Sequence, residues 1–173
     1  MEFFVWLEQT RFAQWVHESP SVLAFPTFLT VHVIGMGLLV GIAAVINLRL
    51  LGCIPRVPLA PMAKLFPLMW IGFCTNVISG SVLFISDASA KLANPAFYVK
   101  LVFVALGMIS LLTIRSQVFR NPALDKMPIS SKEKTLAVIS LTFWIAAITA
   151  ARLIAYLGPR HAASIYERLG SHL

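Results

Sequence analysis

His32 is the residue whose type and place most directly ask for a chemical explanation. It stands within the apolar run Pro26-Thr27-Phe28-Leu29-Thr30-Val31-His32-Val33-Ile34-Gly35-Met36-Gly37-Leu38-Leu39-Val40-Gly41, which with its continuation to Gly52 is long enough to cross a bilayer. An imidazole there can ligate haem iron or another metal, hydrogen-bond a quinone carbonyl or relay protons. It can equally stay neutral, bonded to Asn76 or a backbone carbonyl as part of the packing. Ionisable residues inside membrane spans are costly and are functional candidates by default.

The rest of the chain narrows that chemistry. A bis-histidine haem site needs two buried histidines, but His17, His161 and His172 fall outside the apolar runs. Met69 or Met108 can supply a second axial ligand, as can a partner subunit, or His32 serves alone. Gly35, one turn from His32, leaves room for a porphyrin or for a neighbouring helix. A metal site of His32, His17, Asp87 and a methionine is sparse, with no HxxxH spacing behind it. Cys53 and Cys74 lie at a membrane end and in mid-span, so a disulfide is not expected, and no CxxCH attaches a c-type haem. No nucleophile elbow, phosphate loop, HExxH or carboxylate pair occurs, which argues against a stand-alone enzyme.

These residues have to be positioned by membrane helices. Of 173 residues, 58% are hydrophobic and 12% charged, whereas a soluble domain carries about 25% charged residues. The length fits a single domain. Apolar runs at about 22–48, 65–86, 96–118 and 135–157 each meet the requirement of roughly 20 residues for a spanning helix. The proline-rich turn with Pro55, Pro58 and Pro61 separates the first two, and Asn94-Pro95 opens the third. The expected fold is all-α: a bundle of four transmembrane helices in one membrane domain. Residues 1–19, rich in Phe and Trp, form an interfacial amphipathic helix, and 158–173 a short surface helix. With Glu2 and Glu8 in place of a basic n-region, a signal peptide is not expected at this end.

The net charge of +7 does not form a continuous basic face, so nucleic acid is not expected as a partner. The Lys and Arg residues instead flank the apolar runs. Eight lie on the side of the first and third loops (Arg49, Arg56, Lys64, Arg115, Arg120, Lys126, Lys132, Lys134). Six lie on the other side (Arg11, Lys91, Lys100, Arg152, Arg160, Arg168). The positive-inside rule then places both termini in the periplasm of a bacterial inner membrane.

Helical periodicity places Phe28, His32, Gly35, Met36 and Leu39 on one face of the first span, with Gly37 and Gly41 nearly opposite as a GxxxG packing pair. Met69, Gly72, Asn76, Ser79, Gly80, Leu83 and Asp87 form a stripe on the second. Lys100, Gly107 and Ser110 do so on the third, and Thr142, Ile145, Thr149, Arg152 and Tyr156 on the fourth. Polar stripes are expected to face one another, away from lipid. The product is a polar funnel opening outward, with His32 and Asn76 at its floor, about 15 Å deep by helical rise. Asp87, Lys100 and Arg152 stand toward its mouth. Asp87 is expected to pair with Arg152, or with Lys100, and the cations to attract an anionic head group or propionates. Arg49 is expected to anchor the inner surface, and Asn47 to cap its helix or bond a neighbour.

Several short motifs carry a family resemblance: Pro26…His32-Val33-Ile34-Gly35…Gly41…Leu48-Arg49-Leu50-Leu51-Gly52, then Gly80…Leu83-Phe84, Asn94-Pro95-Ala96-Phe97-Tyr98-Val99-Lys100 and Trp144…Arg152. Together the pattern resembles a family of small bacterial four-helix inner-membrane proteins of unknown function. The resemblance implies topology and draws attention to His32, Arg49, Lys100 and Arg152, without supplying an activity. Asn47 stands where the family pattern implies aspartate.

The leading functional expectation is a redox-associated membrane subunit that binds haem b or a quinone near His32, with Gly35, Asn76, Lys100 and Arg152 around the ligand and His32 as the possible iron ligand. Its partners are the bilayer and other membrane or periplasmic subunits, or further copies of itself. A cofactor-free scaffold held through Gly37 and Gly41 is the alternative. A small transporter or metal-handling protein is a further one, weakened by the lack of paired broken helices.

Overall fold

The computed structural model describes residues 6–18, 24–119 and 129–156, and these are helical with short connections. In chain order the helices are α1 (Arg11–Glu18), α2 (Phe25–Leu51), α3 (Leu65–Ile85), α4 (Ala88–Leu92), α5 (Pro95–Gln117) and α6 (Ser131–Tyr156), with a 3-10 turn at Ala60–Lys64 before α3. The expected C-terminal surface helix, with His161 and His172, lies outside the described residues, as do the side chains of His17 and Tyr156.

Among the described residues four helices are long and apolar enough to cross a membrane. Within the most apolar stretch of each, only 22–28% of residues are buried inside the chain. Ile78, Ile145 and Ile34 stand 67%, 63% and 62% exposed. Water would penalise so much uncovered hydrocarbon, so a bilayer is the solvent this surface suits.

Local chemistry sets the helix ends. Gly52, at φ 85°, closes α2 with Gly52 N–H donating to Arg49 O and Cys53 N–H to Leu48 O, a left-handed cap that glycine adopts without strain. Arg49 donates to the carbonyl of Val57, so it pins the following loop. Asn94 accepts from Ala96 N–H at 3.0 Å with Pro95 in the first turn of α5. Ser130 and Glu133 form a reciprocal capping box, which starts α6 four residues before the expected 135.

The expected single N-terminal helix is instead interrupted at Gln9-Thr10. There the Thr10 hydroxyl donates to Leu7 O and accepts from Ala13 N–H, starting α1 afresh. Glu8, before the break, accepts from Ser89 beyond α3.

Helices α2 and α3 pack closely, as do α5 and α6, and the pairs meet along α2 and α6. A buried apolar cluster gathers Leu50, Leu59, Phe66, Met69, Ile114 and Trp144 from α2, α3, α5, α6 and the loop before α3. The α2–α3 crossing is set by Gly35 and Gly72. A Cβ on Gly35 would lie 3.1 Å from Asn76 N and Gly72 O, and one on Gly72 would lie 3.0 Å from Gly35 O and Leu39 N. The space beside Gly35 is therefore filled by the backbone of α3, which corrects its expected place beside a porphyrin.

Gly37 and Gly41 do not serve packing among the described residues of this chain. Both are exposed, and a Cβ on either would meet nothing within 4 Å. The close-approach surface of α2 is the face it shares with His32, because Gly72 on α3 offers the matching gap there.

Of the stripe expected on α6, Thr142, Ile145 and Thr149 are turned outward, whereas Arg152 lines a cavity. Thr142 and Thr149 are exposed and donate to Val138 O and Ile145 O. A hydroxyl bonded one turn back on its own helix needs no partner from a neighbour, so it can face lipid. The buried face carries Ser140, Trp144, Ala147 and Ala150. Asn47 donates to Ser140 Oγ at 3.1 Å, and Ser140 and Ser110 Oγ lie 2.9 Å apart. With the Ser110 hydroxyl bonded to Gly107 O, the proton order runs Asn47, Ser140, Ser110, Gly107, and it ties α2, α5 and α6 together. Asn47 Oδ1 and Trp144 Nε1 remain buried without a partner.

Candidate functional site

At the end of the molecule where α2 begins, the helices separate around a cavity of about 460 Å³, within the range of small-molecule sites. His32 lies on its wall seven residues into α2, about 10 Å along the helix, and is 8% exposed. Phe84 and Phe97, stacked at 5.5 Å, form an aromatic side. Lys91, Lys100 and Arg152 bring three cations to the same cavity from α4, α5 and α6.

The orientation of His32 follows from two neighbours on α3. A Cβ on Gly80 would meet Cε1 of the ring at 2.9 Å, so only glycine lets the imidazole lie this close. Nδ1 is 3.1 Å from Ser79 Oγ. The Ser79 hydroxyl proton is committed to Thr75 O at 2.6 Å, so Ser79 accepts and Nδ1 carries the hydrogen. In the neutral ring the lone pair then sits on Nε2. The Nδ1–Cε1 edge is turned toward α3, and Nε2 is not among the sealed, unpartnered atoms. The cavity thus meets the acceptor edge of a histidine whose tautomer is held from behind.

Asn76 does not touch the ring. Its amide donates to the backbone carbonyl of His32 at 3.0 Å, which clamps α2 to α3, and neither Asn76 nor Gly35 lines the cavity. Met69 and Met108 are buried in the apolar core, away from His32, so neither stands as its partner ligand. Among the described residues no group of three or more His, Cys, Asp or Glu could hold a metal ion. Cys53 and Cys74 are free thiols, as expected.

The expected Asp87–Arg152 pair is also replaced. Asp87 acts instead on Lys91, which stands on α4, a short helix that no apolar periodicity announced. Lys91 donates to Leu83 O. Burial pushes its ammonium below the ordinary lysine range, Asp87 and Glu8 oppose that shift, and Lys100 adds to it. The four-residue spacing of Asp87 and Lys91 was the signal that could have found this pair.

Glu8 secures the mouth from outside. It accepts from Ser89 N–H at 2.6 Å and from the Ser89 hydroxyl at 2.8 Å. Its pKa is held below the ordinary 4.5 chiefly by the Ser89 backbone N–H; partial burial opposes this, and Ser89 Oγ, Ala88 N–H and Lys91 assist. A depressed carboxylate stabilises fully above its unfolded value and loses that contribution as pH falls through the folded one. We therefore expect the protection of the α1 amides from hydrogen exchange to fall as pH drops below 4.5. Glu8→Gln should lack this pH dependence. Equal pH profiles for the two proteins would refute the contact.

Comparison of the chain with family models, curated proteins and solved structures finds no match in any of the three.

Proposed function

We propose that this chain is the membrane-embedded subunit of a redox-associated complex, holding haem b or a quinone against His32 and working with a periplasmic partner at a bacterial inner membrane. The observation that carries this reading is the buried His32 ring, its Nδ1 3.1 Å from Ser79 Oγ on α3, standing on the wall of a largely apolar cavity. The excess of Lys and Arg beside the opposite ends of the spans orients the cavity mouth to the periplasm.

For haem b the residues fit one axial nitrogen, with cations at the mouth for the propionates. The group would supply one-electron chemistry when bound. With Met69 and Met108 in the core, a second axial ligand would come from a partner subunit or be absent. For a quinone, His32 in this tautomer accepts from a quinol hydroxyl and does not donate to a quinone carbonyl, which reverses the direction anticipated from its position alone. Lys100 and Arg152 remain as donors.

The absorption spectrum of the purified protein, oxidised and dithionite-reduced, tests the haem form. A Soret band lost in His32→Ala is the expected result. If haem-loaded preparations show no Soret band, that form fails, and extraction of quinone from wild type but not from His32→Ala then decides the other.

Gly37 and Gly41, exposed with open space before them, favour a second reading as a scaffold that assembles through this face. It requires Gly41→Leu to abolish cross-linking to neighbouring chains and His32→Ala to leave assembly and function intact.

A further inference from the structure

Among the described residues the three cations of the cavity outnumber the carboxylates that act on them. Among the described residues the carboxylates that act on Lys91 are Asp87 and Glu8, and its ammonium also donates to Leu83 O. Lys100 and Arg152 have neither a carboxylate nor a carbonyl partner among the described residues. Among the described residues no Asp or Glu lines the cavity. Lys100 sits five residues inside α5 and Arg152 four residues from the end of α6, so both lie about one to two turns into their spans. A lysine or arginine near a span end ordinarily extends its head to the interface along the nearest route. Here charges from three different elements converge on one enclosure instead.

The lining is chemically divided: Lys91, Lys100 and Arg152 supply cations, Phe84 and Phe97 stack on one another, and Leu29, Val33 and Met36 add apolar side chains from α2. His32, 92% buried, turns its acceptor edge to this space. A neutral apolar occupant would leave half-buried Lys100 without a counter-charge among the described residues. A small free anion would leave the apolar wall uncovered.

We infer that the cavity is a binding site for an acid-headed amphiphile, with its carboxylate or phosphate at Lys100 and Arg152 and its hydrocarbon or ring body against Phe84, Phe97 and the α2 wall. This rests on the cavity being the ligand site proposed above and adds the chemistry of the head group. The acid can belong to a fatty acid, to an anionic phospholipid or to the propionates of haem.

The test is native mass spectrometry of the full chain, delipidated in a neutral detergent, with oleate, dioleoyl phosphatidylglycerol, dioleoyl phosphatidylcholine, hemin, ubiquinone and inorganic phosphate as separate probes. Charge-assisted hydrogen bonds predict that at least one acid-headed probe binds about tenfold or more tighter than phosphatidylcholine and ubiquinone. The Lys100→Gln/Arg152→Gln double variant should lose that preference. Lys132→Gln, an exposed lysine at the start of α6, should keep it, and Lys100→Arg/Arg152→Lys should restore it if the double variant is folded by circular dichroism.

Which acidic probe binds best identifies the source of the acid. Equal binding of acidic and zwitterionic lipid, or a preference that the double variant keeps, overturns the inference. So does phosphate alone binding as tightly as phosphatidylglycerol. His32→Ala should keep the preference for oleate, so loss of the redox reading and loss of the acid site are separately visible. Preferential ubiquinone binding would refute the acid head while leaving the redox reading in place.

Discussion

Gly72→Ala is expected to destabilise the protein by about 1–3 kcal/mol, the range for overpacking a close-packed site, whereas Gly37→Ala is expected to be neutral or to stabilise by up to about 1 kcal/mol. A methyl on Gly72 would stand 3.0 Å from Gly35 O and Leu39 N, and both are backbone atoms that cannot rotate aside. Helix α3 must therefore move away from α2. A methyl on Gly37 meets nothing, and helix propensity alone acts on it. Unfolding midpoints in mixed detergent–SDS micelles give the comparison. Equal losses for the two variants would mean that the crossing of α2 and α3 does not depend on Gly72. The same displacement carries Ser79 and Gly80 away from His32, so Gly72→Ala should weaken ligand binding as well, while Gly37→Ala should not.

Ser79→Ala is the second large effect. It removes the acceptor 3.1 Å from His32 Nδ1 while leaving the ring in place against Gly80. Imidazole nitrogen-15 shifts report the tautomer without any ligand. Wild type should show the hydrogen on Nδ1, and Ser79→Ala should shift population to Nε2–H. Groups that orient a metal-bound histidine are worth about 10–100-fold in affinity, so haem binding should fall by about that factor if haem is the ligand. Ser79→Thr, which restores a hydroxyl, should recover the wild-type tautomer. If the wild-type ring carries its hydrogen on Nε2, His32 offers the cavity a donor, and the haem form of the proposal fails.

The two effects differ in how readily the sequence announces them. Gly72 and Ser79 fall on the polar stripe of the second span, and that stripe does face inward, with Met69, Gly72, Ser79 and Leu83 buried. What the stripe could not show was its internal division of labour. Asn76 looked like the partner of His32 because both are polar and at similar depth. Their side chains nonetheless part, since Asn76 is drawn to the main-chain carbonyl of His32 by the closeness that Gly35 and Gly72 permit. Lys91 was visible only as a charge between spans, because a five-residue helix has too few turns to leave a periodic signature.

That four long helices form, and roughly where they start and stop, follows from the amino-acid sequence. Apolar runs of that length can satisfy their backbone in lipid only as helices, and proline, glycine and capping residues mark their ends. It also singled out His32, Lys100 and Arg152, which the fold places on one cavity. Which face each helix turns inward was decided only in the tertiary structure. In lipid, apolar side chains suit the outside and the inside alike, so periodicity loses most of its power to tell them apart. Threonines on α6 bond back to their own helix and turn outward, and glycines pack only where a neighbour offers a matching gap. That is why Gly35 and Gly72 meet while Gly37 and Gly41 face open space, and why Arg152 reaches the cavity without Asp87 beside it.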